Sequence, residues 1–575
     1  MHRFVSQLTK SSFHWRRLIK QLSTAPGHLF LRKLSRRSAS TLGLLSVLAL
    51  VLFGGPSGAS AHEPHECPDG LPDAPAISGH LDQALITNGT LSFTDIFDAG
   101  KDLFEVVFNV CDGQGRPSTT GTGNIREPNQ PAFTRISSPD SNACAGCHNQ
   151  PRNGGGGDFV ANVFVLAQAL DPVTESISPE FSNSRNTLGM FGGGPIEMLA
   201  REMTAQLHTI RDDAIQQATA NNTAVTVALQ ANGVSFGSLG LDPADGTLDT
   251  SAFEGVDADL IIKPFHQAGV VISLREFTDN AMNHHHGMQA EERFDLNSDK
   301  AVDFDADGVS HELTTGDITA VTIWQAALGT PGRMIPADDE ARAAAGLGEE
   351  LFDRIGCTAC HVAEMRLESR FFSEPNPYNP AGTWSDTGQT YTFDMTEVGE
   401  GPHLERDGEG AVVRAYTDLK RHNLCDPDDR PDAIRHFCNE QLAQDRPDQG
   451  GKPGAEFFIT RKLWDVGNSA PYGHVGDLTT ISEAILAHGG EARATRDAFG
   501  ARSSGDQAAI ITFLNTLQVL PLGSERVVVE GAETETLTGA AETGVPSTTI
   551  IIGVLMALVI LLSVAVVWLS RRDNQ

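Results

Sequence analysis

Two pentapeptides combine paired thiols with an adjacent imidazole: Cys144-Ala-Gly-Cys147-His148 and Cys357-Thr-Ala-Cys360-His361. Two sulfurs three positions apart on a helical turn reach the two vinyl groups of one porphyrin, and the next residue offers a ring nitrogen to the iron. This is the attachment pattern of haem c. A shared zinc site would draw the pairs together, but the copies lie more than 200 residues apart and each carries its own His. A redox dithiol needs no trailing His. We therefore expect two covalent haems c, held by Cys144, Cys147 and His148 and by Cys357, Cys360 and His361. The other four of the eight cysteines are Cys67, Cys111, Cys425 and Cys438. Of their three possible pairings, Cys67–Cys111 with Cys425–Cys438 closes the shortest loops.

Disulfides and haem c both suit an exported chain, and the termini agree. Residues 1–61 hold nine Lys/Arg and no Asp or Glu, then the uncharged run Leu42–Phe53, then Ala59-Ser60-Ala61. That is the layout of a secretory signal with its cleavage site. At the other end, Ile550–Leu569 is 20 residues without a charge, followed by Arg571-Arg572. As a helix it spans about 30 Å, the thickness of a bilayer core. The arginines keep the tail, 571–575, in the cytoplasm. Residues 523–547, acidic and rich in Gly and Thr, read as a flexible stalk ahead of a membrane helix at 548–570. The expected location is the periplasmic face of the inner membrane, with one C-terminal anchor.

The 575 residues carry 42 Lys/Arg against 74 Asp/Glu, a formal charge of −32, with 40% hydrophobic residues and a mean hydropathy of −0.19. This is a globular composition. The acidic balance excludes nucleic acid, which needs basic patches, and suits a basic soluble protein partner. Periodicity predicts helices over 195–232, from Ile272, and over 317–328, 338–355, 481–486 and 504–517. Residues 62–140 read as loops with short helices, 366–456 as loop-rich, and 233–255 as turns with a short hairpin. The expected class is mainly α: two cytochrome c-like haem domains, 62–335 and 336–522, with loop-rich insertions and one C-terminal transmembrane helix.

Further strings follow in order: Tyr416-Thr-Asp-Leu-Lys-Arg-His422, Phe458-Ile-Thr-Arg-Lys-Leu-Trp-Asp-Val-Gly467, Ala470-Pro-Tyr-Gly-His474-Val-Gly476 and Thr480-Ile-Ser-Glu-Ala-Ile-Leu-Ala-His488-Gly-Gly-Glu-Ala492. With the two haem motifs, they resemble the di-haem oxidoreductases, relatives of the bacterial di-haem cytochrome c peroxidases and of the methylamine-dehydrogenase maturation enzyme. The resemblance covers about 140–205 and 255–520. It implies one haem for chemistry and one that relays electrons. It also implies that His488 stands where the peroxidases have a distal Met, so that His361 and His488 ligate the second iron from opposite sides. Met ligation raises a haem potential, so the exchange should lower it. His422 and His474 fall at family positions near that haem and are expected to donate hydrogen bonds around it; Leu424 stands where the family has Met.

The family's distal Glu is absent from the first haem's region. In its place is Asn283-His284-His285-His286-Gly287-Met288. A neutral His can move the peroxide proton as a carboxylate does, so His284, His285 and His286 are the catalytic candidates. Equally, one of them, or Met288, can ligate the iron and close the site. The family's bridging Trp is missing as well; His266 aligns there, and Trp324 and Trp464 are other candidate relays.

Asp303, Asp305 and Asp307 alternate before Gly308 and are followed by Glu312. Alternating carboxylates with a Gly turn suit Ca2+, although Glu312 is at position ten rather than twelve; Asp295, Asn297 and Asp299 lie just upstream. The resulting expectation is a tethered periplasmic oxidoreductase that reduces hydrogen peroxide, supplied by a small soluble donor such as a cytochrome c or a cupredoxin. The alternatives are a non-catalytic di-haem electron carrier and a haem enzyme that oxidises a protein partner. If the C-terminal run is the anchor, truncation before Pro546 releases soluble periplasmic protein. Cell fractionation checks this, and a truncated form that still sediments with membranes sinks the anchor.

Overall fold

The computed structural model describes residues 74–115, 141–157, 161–162, 184–244, 246–294, 303, 308–381, 383–426, 437 and 457–531. All belong to one compact unit, Ala59–Gln575. The helices are α1 (Gln83–Thr87), α2 (Phe93–Glu105), α3 (Gly193–Asn221), α4 (Leu274–Ala281), α5 (Glu291–Phe294), α6 (Thr315–Ala326), α7 (Asp339–Arg354), α8 (Ile481–Ala487), α9 (Arg493–Gly500) and α10 (Ser504–Thr516). Fifteen short strands accompany them among the described residues: β1 (Ala161–Asn162), β2 (Ser184–Arg185), β3 (Val225–Ala231), β4 (Val234–Asp242), β5 (Thr247–Asp249), β6 (Gly332–Ile335), β7 (Met365–Leu367), β8 (Phe371–Glu374), β9 (Tyr391–Asp394), β10 (Glu405–Asp407), β11 (Gly410–Val413), β12 (Arg421–Asn423), β13 (Phe457–Ile459), β14 (Leu517–Gln518) and β15 (Val528–Glu530). They form sheets of two or three strands, so helices dominate.

Two helix pairs carry the fold's central packing. Helix α2 packs on α6, and α7 on α10. Each pair meets at a glycine. A Cβ on Gly100 would overlap the Ala320 carbonyl, and one on Gly348 would overlap the Ala509 carbonyl. The first helix of each pair also contacts one of the cysteine turns. Helix α2 starts at a capping box in which Ser92 and Asp95 satisfy each other's backbone N–H; Thr314 and Asp317 do the same for α6. Residues Gly316–Ala326 of α6 are all buried, which makes this helix the middle of the larger apolar core.

Helices α3, α4, α6, α7, α8 and α10 fall where periodicity placed them; α1 and α2 lie in the stretch read as loops with short helices, and α5 and α9 carry no expected counterpart. Three stretches differ from expectation. The helix expected over 195–232 ends at Asn221. Asn222 adopts a left-handed φ of 47°, and Val225-Thr226-Val227 favours a strand, β3, which pairs with β4. The stretch 366–456, read as loop, contains strands β8–β12 and most of β7 in its described part. At three or four residues each, they are too short to show a period. Residues 523–531, expected as stalk, include β15, which runs parallel to β6; the β-branched run Val527-Val528-Val529 favours that extended pairing. Among the described residues no helix is long and apolar enough to cross a membrane. The expected signal, 1–61, and the apolar run 550–569 lie outside the described residues.

The Gly100 contact gives a direct test. Gly100→Ala should destabilise the protein by roughly 1–3 kcal/mol, because the added methyl forces α2 off α6. Denaturant unfolding of the purified protein measures it.

Candidate functional site

Both Cys-x-x-Cys-His strings adopt the same local form. Cys144–Gly146 and Cys357–Ala359 are single 3-10 turns. The N–H of His148 bonds back to the Cys144 carbonyl, and that of His361 to the Cys357 carbonyl, each at 3.0 Å. This sets two sulfurs and one imidazole on the wall of a cavity, once in each half. The N-terminal cavity is about 160 Å³ and the C-terminal one about 360 Å³. Burial pushes the Cys144 and Cys357 thiols up to about 12. Walls of Phe, Leu, Val and Met with one imidazole behind each thiol pair fit an apolar porphyrin plane attached at its edge.

In the N-terminal cavity, His148 Nδ1 lies 3.0 Å from the Leu188 carbonyl oxygen. Burial lowers its pKa to about 4, so the ring is neutral. With Nδ1 donating to the carbonyl, Nε2 keeps the lone pair that a metal needs. His284, His285 and His286 line the same cavity. They sit on a π-turn, Met282–His286, that continues α4; such turns widen a helix and recur at functional sites. His286 is buried. Its Nδ1 is 2.7 Å from the Ser141 carbonyl oxygen, its Nε2 is 3.3 Å from Cys144 Sγ, and burial lowers its pKa to about 3. Met288 packs instead with Phe108 and Leu313 in a separate apolar cluster, away from the cavity wall.

The π-turn is anchored through α4 by an ion cluster that sequence reasoning missed. The Arg275 guanidinium is 1% exposed. It donates to both Glu292 oxygens, to Thr319 Oγ1 at 2.9 Å and to Glu374 Oε1 at 3.0 Å. Glu197 Oε2 accepts the Leu274 N–H at 2.8 Å. Elements far apart in sequence, α3, α5, α6 and β8, thus hold α4. Nothing in the local pattern marks Arg275 as buried, since its partners come from 17 to 99 residues away.

In the C-terminal cavity, His361 Nδ1 lies 3.0 Å from the Tyr416 carbonyl oxygen. His488 is the C-cap of α8, and its Nδ1 lies 2.7 Å from the Ala484 carbonyl oxygen. Burial lowers both, His361 to about 4. His422 and His474 also line this cavity. His422 has a carboxylate on each ring nitrogen, Asp418 Oδ2 at 2.9 Å from Nε2 and Glu491 Oε2 at 2.7 Å from Nδ1. Burial opposes charge on this ring, but bonds to Asp418 and to the Cys360 sulfur raise it to about 11. Both nitrogens are therefore engaged within the protein. Asp418 and Glu491 were not singled out beforehand; the Asp418-x-x-x-His422 spacing was the available signal. Lys462 Nζ donates to the Gly189 carbonyl at 2.9 Å.

The two cavities share a wall. His148, Leu188, Met190, His266, Phe277 and Gln325 line both. His266 has a left-handed φ of 58° and stacks 5.1 Å from Phe277. Trp324 packs on Phe104 at 4.3 Å and Trp464 against Gly192; neither lines a cavity.

At the expected calcium loop, Asp305 and Asp307 lie outside the described residues. Asp303 Oδ2 accepts the Gly308 N–H at 3.1 Å. Glu312 is buried, and its Oε2 accepts the Gln289 N–H at 2.7 Å. Cys111 and Cys425 are disulfide-bonded; Cys67 and Cys438 lie outside the described residues.

Residues 428–517 match the family described as "Di-haem oxidoreductase, putative peroxidase". The match is confined to this segment. It contains His474, His488 and Glu491, whereas both cysteine motifs lie ahead of it. The family implies two haems, in keeping with the two motifs. No curated protein matches. Among solved structures, hydrazine synthase of Kuenenia stuttgartiensis is similar at 13% identity, over 43% of this chain and 63% of that one, with a TM-score of 0.23. A MauG-like protein associated with microbial copper homeostasis is similar at 15% identity, over 48% and 75%, with a TM-score of 0.22. The chain thus spans less than two thirds of the hydrazine synthase chain.

The anchor cluster carries a pH signature. Burial, with the charge of Glu197, outweighs Arg275 and Arg201 and raises Glu374 to about 7. An acid whose folded pKa is raised contributes stability below its unfolded value, about 4.5, and loses that contribution as pH rises to about 7. Glu374→Gln keeps an acceptor for Arg275 and removes the titration. The variant should gain stability relative to wild type between pH 5 and pH 8, which thermal melts at the two pH values read out.

Proposed function

We propose that the protein is a membrane-tethered periplasmic di-haem c oxidoreductase that reduces hydrogen peroxide. The observation that carries this reading is the three-histidine π-turn lining the cavity of Cys144, Cys147 and His148. When bound, the two haems would supply the redox chemistry, H2O2 + 2 H+ + 2 e− → 2 H2O. His148 and His361 offer Nε2 to the irons, and His488 offers the second nitrogen in the C-terminal cavity. His286 is neutral, with its proton on Nδ1 held by Ser141. Its Nε2 can take a proton from peroxide bound in the cavity and return it to the departing oxygen, with His284 and His285 beside it. Leu188, Met190 and His266, which line both cavities, would carry electrons between the two sites. The acidic chain suits a basic donor such as a small cytochrome c or a cupredoxin. Ca2+ at Asp303, Asp305, Asp307 and Glu312 would neutralise the acidic loop that follows the π-turn.

A second reading has its own support. His286 shares with His148, His361 and His488 an Nδ1 engaged by a backbone carbonyl, the arrangement that orients an imidazole toward a metal. As an axial ligand it would close the N-terminal site and make the protein an electron carrier. One variant separates the two readings. Pyridine haemochrome should first give two haems per chain. If His286 transfers the proton, His286→Ala lowers peroxide turnover about 10²–10⁴-fold with both haems retained. If His286 is a ligand, wild type shows no turnover and the variant newly binds cyanide.

A further inference from the structure

The loop 416–422 is held in a costly conformation. Tyr416 and Leu419 have left-handed φ of 55° and 54°. For residues with a Cβ this conformation is unfavourable and persists only where the surroundings dictate it. The surroundings do so here. Thr417 N–H donates to the Val362 carbonyl at 3.1 Å, next to His361. Thr417 Oγ1 donates to the Thr460 carbonyl at 2.7 Å and accepts the Leu419 N–H at 3.1 Å.

Two arms leave this loop. The Tyr416 carbonyl accepts from His361 Nδ1 at 3.0 Å. On the other side, Asp418 meets His422, and His422 meets Glu491, three residues beyond His488. Glu491 Oε1 also accepts the Asn423 N–H at 2.9 Å. The intervening turn is pressed close, since Gly490 has a φ of 52° and a Cβ there would overlap the Asn423 carbonyl. His361 and His488 line one cavity; His361 bonds to the loop directly, and the segment that carries His488 is joined to it through Glu491.

We propose that loop 416–422 is a clamp that fixes both axial histidines of the C-terminal haem. His422 and Glu491 act in it as positioning residues for His488. The proposal rests on the reading above that His488 is an iron ligand. A haem closed by two fixed histidines resists exogenous ligands, so a loosened clamp should let CO displace His488. Hydrogen bonds to charged groups are worth enough that losing one shifts such a competition about tenfold to a hundredfold.

The experiment titrates CO into the reduced full-length holoprotein and counts CO bound per chain. Glu491→Ala and His422→Ala should each admit one additional CO at concentrations about tenfold to a hundredfold below those wild type requires. The double variant should add little to either single one, because both break one chain of bonds. Glu491→Gln, which keeps an acceptor for the Asn423 N–H, substitutes if the alanine variant does not fold and should shift in the same direction. His488→Ala separates the possible failures. If it opens the haem to CO while the Glu491 and His422 variants behave as wild type, the clamp is wrong and the ligand assignment stands. If His488→Ala leaves the haem spectrum unchanged, the ligand reading itself fails, and the clamp with it.

Discussion

An imidazole presented to a metal must have one nitrogen stripped of its proton and aimed, and the cheapest way to achieve both is to occupy the other nitrogen. Four histidines here meet that constraint with a backbone carbonyl. Leu188 holds His148, Ser141 holds His286, Tyr416 holds His361 and Ala484 holds His488. Backbone acceptors do not titrate and cannot rotate away, so each ring is as fixed as the segment that supplies the oxygen. Much of the architecture around the cavities exists to fix those four segments: the Arg275 cluster behind the π-turn, the strained 416–422 loop and the capping box that starts α8.

The electrostatics follow from the same enclosure. Removing water keeps His148, His286, His361 and His488 neutral, as ligation or proton transfer requires, and it also makes any unpaired charge expensive. The buried charges near the cavities are accordingly paired. Arg275 is surrounded by carboxylates, His422 stands between two of them, and Arg496 bonds to Asp426 at 2.9 Å. Lys462 is the exception in kind: its ammonium leans on a carbonyl, and burial lowers it to about 8.

Local chemistry was legible in the sequence, and long-range partnership was not. The two cysteine motifs announced their turns because the signal spans five adjacent residues. Helices α6, α7 and α10 were readable from period and caps. The strands of 365–423 escaped because three residues carry no period, and the end of α3 escaped because Asn222 gives only a weak stop signal. His488 was found by resemblance. Glu491, three residues further on, was quoted and passed over, because its role depends on His422 from 69 residues away. The same limit applied to Arg275, whose neighbours in sequence say nothing of Glu374.

The wall between the cavities has one more property. The Leu188 carbonyl faces His148, and the next carbonyl, that of Gly189, receives Lys462 from the other side. Two consecutive rigid peptide planes, joined at the Gly189 Cα, therefore bond to an imidazole and to an ammonium in turn. The backbone is thus pinned at two successive oxygens, one by a neutral imidazole and the next by a buried cation, over the span of a single residue.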